Sequence, residues 1–101
     1  MHYMLLMCDD GAPNDGAWRD RLTEQGLDHR RWRLGPTGQA LTVRVRDDRT
    51  LVTEGPADAA YAPLAAVAIV DCPDLDVAIE AGGGHPAAGR GAVEIRPFWE
   101  D

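Results

Sequence analysis

Six consecutive apolar residues, Ala65 to Val70, followed at once by Asp71-Cys72-Pro73-Asp74, constrain the fold of this chain more than any other feature. A run this short is far below the length of a membrane span and reads as a central strand. The segment after it opens a helix: Pro73 suits a first-turn position, and Asp74 and Asp76 complement the positive end of the helix dipole. Leu75, Ala78 and Ile79 form that helix's apolar stripe. Gly82-Gly83-Gly84 ends it, because each interior Gly costs about 1 kcal/mol of helix relative to Ala.

Tyr3 to Cys8 is a second apolar run, stopped by Asp9-Asp10-Gly11, and also reads as a buried strand. Pro13-Asn14-Asp15-Gly16 is turn chemistry, with Asn14 or Asp15 placed to cap a helix over Ala17 to Gln25. That helix pairs Trp18 with Leu22 at i, i+4 and meets its stop at Gly26. Residues 27–40 carry no periodic signal: Asp28 to Arg33 are mostly charged, and Gly35-Pro36-Thr37-Gly38 is a loop. Then Leu41, Val43 and Val45 alternate with Thr42, Arg44 and Arg46, the pattern of a half-buried strand. Asp47-Asp48-Arg49 connects it tightly to Thr50–Thr53, which makes a hairpin. Ala92 to Arg96 is a last strand, with Val93 and Ile95 on one face and Glu94 and Arg96 on the other.

The resulting order, strand-helix-strand-strand-helix-strand, predicts an α+β fold with both helices on one face of the sheet. Arg44, Arg46, Glu94 and Arg96 are then expected on the opposite face, as a dimer surface or the lining of a wet cavity. At 101 residues the chain suits one domain, spanning 1–101, and self-association is a natural way for so small a domain to bury more surface.

Charge narrows the function classes. A net charge of −7 argues against general phosphate-backbone binding and against attraction to anionic membranes. All ten basic residues are Arg, so no side-chain amine exists to form a Schiff base. The short cluster Arg30-Arg31-Trp32-Arg33 does not outweigh the acidic remainder, and no nucleic-acid partner is expected. Cys8 and Cys72 each end an apolar run and read as buried thiols. Scattered His and Cys show no metal-ligand spacing, and no phosphate loop or other cofactor motif is present. The opening MHYMLLMCDD lacks a basic leader region and a small-residue cleavage site, so the expectation is a cytoplasmic protein.

Four segments in order resemble the DGPF-domain branch of the YCII-related family. MHYMLLM is similar to its first strand. Thr42–Asp47 with Thr50-Leu51-Val52-Thr53-Glu54-Gly55-Pro56 resembles the hairpin leading into the DGPF motif. Val70–Asp76 with Ala78 resembles the entry to its second helix. His85-Pro86-Ala87-Ala88, with Gly91 to Pro97, resembles its closing segment. The resemblance implies a ferredoxin-like β-α-β-β-α-β antiparallel sheet that pairs into a dimeric α/β barrel. For the wider group it also implies enzymes working through a His and an Asp. In this chain Glu54 stands where the motif has Asp and Ala57 where it has Phe.

Several residues are therefore candidates, each with a plain alternative. His85, between a Gly run and Pro86, is expected to be presented from a loop as a proton carrier; the alternative is a hydrogen bond to a helix end or carbonyl. Glu54 is its expected catalytic partner, or else a cap on the Gly55-Pro56 turn. Arg44 and Arg96 are expected to hold an anionic ligand, or else to pair structurally with Glu94. Asp9, where ligands meet strand ends, is a binding candidate or a turn residue. The function expected is a homodimer that binds a small, anionic molecule and uses His85 for acid–base chemistry. The rival is a non-catalytic interaction or ligand-sensing module with a degenerate DGPF loop.

Overall fold

In the computed structural model, which describes residues 1–11, 14–57 and 63–99, the two apolar runs lie side by side at the centre of one sheet. Strand β1 (His2–Cys8) pairs antiparallel with β5 (Leu64–Asp71), with Tyr3 opposite Val70 and Leu5 opposite Ala68. Strand β6 (Ala92–Pro97) flanks β1, and β2 (His29–Arg33) flanks β5, giving the order β2-β5-β1-β6 with every neighbouring pair antiparallel. This α+β arrangement is compatible with a ferredoxin-like fold.

Alternation divides the sheet into two unlike faces. Tyr3, Leu5, Met7, Ala66, Ala68 and Val70 point to one side and are buried there with residues of all three helices. Helix α1 (Gly16–Glu24) contributes Trp18 and Leu22; α2 (Leu75–Gly83) contributes Ala78 and Ala81; the short α3 (Pro86–Arg90) contributes Ala87. On the other side Met4 lies opposite Ile69 and Leu6 opposite Val67, all four only partly buried. Among the described residues no helix is long and apolar enough to cross a membrane.

Three expectations need correction. The stretch without periodic signal contains β2, an edge strand whose residues are mostly cationic. An edge tolerates charge because only one side of it is paired. The hairpin, β3 (Leu41–Arg46) with β4 (Arg49–Glu54), does not join this sheet but forms a separate two-stranded one. Arg44 and Arg46 therefore do not share a sheet face with Glu94 and Arg96. Helix α2 runs through Gly82 and Gly83 rather than stopping before them, with Gly84 at its C-cap. The reason is close packing: a Cβ on Gly82 would lie 3.2 Å from Ile95 and 3.3 Å from Val93. The missing side chain lets α2 approach β6, which outweighs the intrinsic helix cost.

Candidate functional site

The residue pattern that starts α1 is built for capping, yet Asp15 does not cap. It occupies the N-cap position with no side-chain bond to the helix. Its carboxylate turns inward instead and joins two residues distant in sequence. Oδ1 accepts from Arg31 Nη2 at 2.8 Å, and Oδ2 meets His85 Nε2 at 3.1 Å. Arg31 reaches it from β2, whose alternation sends His29, Arg31 and Arg33 toward the helices and Arg30 and Trp32 away from them. On the outward side the Arg30 guanidinium lies 5.3 Å from the Trp32 ring, so the basic cluster is divided between two faces.

His85 is the N-cap of α3, followed by Pro86 in the first turn, where a missing N–H is harmless. Its Nδ1 accepts a hydrogen bond from the Ala87 N–H at 3.0 Å. A nitrogen that accepts carries no proton, so in the neutral ring the proton is on Nε2 and is donated to Asp15. Trp18 closes the site with its ring edge-on to the imidazole, centroids 4.7 Å apart at 84°. The indole is itself fixed by donating from Nε1 to the Ala81 carbonyl at 2.7 Å. The His85 side chain is 0% exposed and that of Asp15 3%. Among the described residues, Arg31 Nε is the one fully buried side-chain nitrogen or oxygen without a partner.

His85 is therefore not displayed from a loop, and its partner is Asp15, not Glu54. Glu54 ends β4 on the separate hairpin, exposed, with Leu41 opposite. Beside it the Gly55 N–H donates to the Ala40 carbonyl at 2.8 Å, and the Thr42 hydroxyl donates to the Gly55 carbonyl at 2.8 Å. Arg44 donates to the Ala57 carbonyl at 3.4 Å. Arg96 pairs with Glu94 at 3.1 Å on an exposed part of β6, as its structural alternative has it. Asp9 is buried; it accepts from Arg90 Nη2 at 2.7 Å and from the Asp10 N–H at 2.7 Å. That ties the end of β1 to the end of α3. The structure thus brings together none of Glu54, Arg44, Arg96 and Asp9.

Two clefts lie nearby. One of about 270 Å³ runs between α1 and α2 past Trp18, Leu22, Val77 and Glu80. Another, of about 380 Å³, lies at the end of β1 against Asp9, Asp10, Leu34 and Pro36. Neither is lined by His85 or Asp15. Among the described residues no three His, Cys, Asp or Glu side chains converge as metal ligands would.

Sequence reasoning found His85 but missed Asp15, Arg31 and Trp18 as its surroundings. The only available signal was the cap position of Asp15, and that pointed to the wrong bond. Compared with models of known protein families and with curated proteins, the chain matches none.

Proposed function

We propose that this chain is a non-catalytic, homodimeric binding module of the YCII-related, DGPF kind, working in the cytoplasm without a cofactor. One observation carries the reading: both ring nitrogens of His85 are occupied and its side chain is fully enclosed. A general base must come within roughly 2.6–3.2 Å of the proton it takes. Here that distance is filled by Asp15 and by the Ala87 N–H. The Arg31–Asp15–His85 chain is then a structural tie joining β2, α1 and α3. Glu54 and Ala57, where the DGPF motif has Asp and Phe, agree with a loop that has left chemistry behind.

Support for the family reading comes from its four motifs in order and from a sheet order compatible with a ferredoxin-like subunit. Support for the dimer comes from the helix-free face. Met4, Leu6, Val67 and Ile69 give it an apolar centre that a second subunit would cover in a dimeric α/β barrel. Diethyl pyrocarbonate labelling followed by mass spectrometry tests the enclosed histidine. His2 and His29 are expected to react in the native protein while His85 is spared. Rapid native labelling of His85 would defeat the non-catalytic reading.

A second reading, acid–base chemistry on a small anionic molecule, is favoured by the His85–Asp15 contact itself. A carboxylate 3.1 Å from one ring nitrogen is how a catalytic imidazole is oriented. For Nδ1 to act as the base, the Ala87 N–H must release it, so the first turn of α3 would have to open. Arg44 and Arg96, on different elements of one chain, would meet substrate only across two subunits.

A further inference from the structure

The β3–β4 hairpin is the least supported element of this chain. Its strands contact one another, and among the described residues no other element packs broadly against either. The register places Val43 opposite Val52, with Leu41 and Val45 on the same face. Yet Val43, Val45 and Val52 are 60%, 60% and 62% exposed. A two-stranded hairpin alone is marginally stable in water, and this one leaves its whole apolar face wet.

The overall dimensions carry the same mark. The accessible surface is 7017 Å² for a chain of 11.0 kDa. A folded monomer of that mass exposes about 5,600 Å², so about 1,400 Å² is in excess. The radius of gyration is 15.4 Å, against about 13 Å for a compact chain of this length. A standard interface hides roughly 800 Å² per partner and obligate dimers hide more, so the excess suits a dimer surface.

We propose that the hairpin is an arm that docks on a second copy of this chain, laying Leu41, Val43, Val45 and Val52 against the partner's helix-free sheet face. The proposal rests on the dimer reading above and adds the element that secures it. Two features select a second copy as the occupant. The chain already presents a matching surface, apolar in the middle at Met4, Leu6, Val67 and Ile69 and charged at its edges through Arg30, Glu94 and Arg96. Moreover, two copies of net charge −7 repel, whereas the arm is neutral: Arg44, Arg46 and Arg49 balance Asp47, Asp48 and Glu54. Reciprocal exchange of two arms closes on itself as a two-fold dimer and leaves no surface open to further growth.

Sedimentation equilibrium of the full chain over a dilution series tests this. Wild type is expected at twice the 11.0 kDa chain mass. The V43R/V52E variant keeps an attractive cross-strand pair, so the ribbon persists while its apolar face is lost. It is expected to associate roughly a hundredfold more weakly, with unchanged circular dichroism. Thr53→Glu, on the other face of the arm, is expected to leave the dimer intact. In mixed isotope-labelled samples, Val43 and Val52 methyls are expected to show contacts with Met4 and Ile69 of the partner. If V43R/V52E dimerises as tightly as wild type, the arm proposal falls while the dimer stands. A wild-type chain that stays monomeric at every concentration overturns both.

Discussion

Strand β1, apolar from Tyr3 to Cys8, and strand β3, apolar at every second residue, each present an apolar face for burial, but one forms the spine of the core and the other lies bare. In β1, Tyr3, Leu5 and Met7 are buried beneath Trp18, Leu22 and Ala87. In β3, Leu41, Val43 and Val45 face solvent, and among the described residues the only strand beside them is β4. The two patterns ask for the same thing, a cover over one face. Among the described residues, α1, α2 and α3 supply that cover for β1, and nothing supplies it for β3. Period-two alternation states that a strand has a buried side without stating which molecule does the burying.

The sharpest way to break this comparison is inside the body. Asp15→Ala leaves Arg31 charged and His85 Nε2 without its partner in a closed site, and should cost about 3–5 kcal/mol in urea unfolding. A loss under about 1 kcal/mol would mean that the tie contributes little and that the body is held by apolar packing alone. Gly91→Ala comes next. A Cβ there would run into the Cys8 carbonyl, and overpacking of this kind should lower stability by about 1–3 kcal/mol, read from the same denaturant midpoint.

In the arm the effect should be smaller and of opposite sign. Asp47 and Asp48 both sit at positive φ, 53° and 61°, in the two-residue turn between β3 and β4. Asp48→Gly relieves that conformation and should stabilise the hairpin by roughly 0.5–1 kcal/mol, visible as slower amide exchange at Arg44 and Leu51, a hydrogen-bonded pair of the ladder. Slower exchange in β1 as well would show that arm and body unfold together.

The smallest effect is a slope with pH. Burial pushes the Cys72 thiol up, and the neighbouring Asp71 charge adds to this. A raised pKa keeps the proton on the folded form. Its contribution is therefore complete below the unfolded thiol value, about 8.5, and is lost as pH rises through the folded value. Wild type should lose more stability than Cys72→Ala between neutral and alkaline pH, measured as the difference in urea midpoints. Equal slopes would show that Cys72 does not feel its burial.

What was legible in the sequence was whatever announces itself locally. β1 and β5 are unbroken apolar runs with stops at their ends, and α1 begins and ends within a residue of where its turn and Gly26 place it. β2 gives no such sign, because the residue it turns inward at its centre is Arg31, compensated by an acid instead of being apolar. The site is harder still. Asp15 and His85 lie 70 positions apart, and nothing near either one distinguishes a capping aspartate from one that reaches across the fold. Pro86 was the usable clue for His85: a proline just after a polar residue marks a helix start, but α3 is only five residues long and shows no periodicity.

Asp15 makes no cap bond to its own helix, where Asn14 Oδ1 accepts from the Gly16 N–H at 3.3 Å instead, and it holds the residue that caps another. The beginnings of α1 and α3 therefore cannot fray independently. Losing the carboxylate's hold on the imidazole loosens the cap of α3, and melting the start of α1 withdraws the carboxylate. Two helix ends that would ordinarily open separately, each on its own timescale, are joined into one cooperative unit whose opening is a single event.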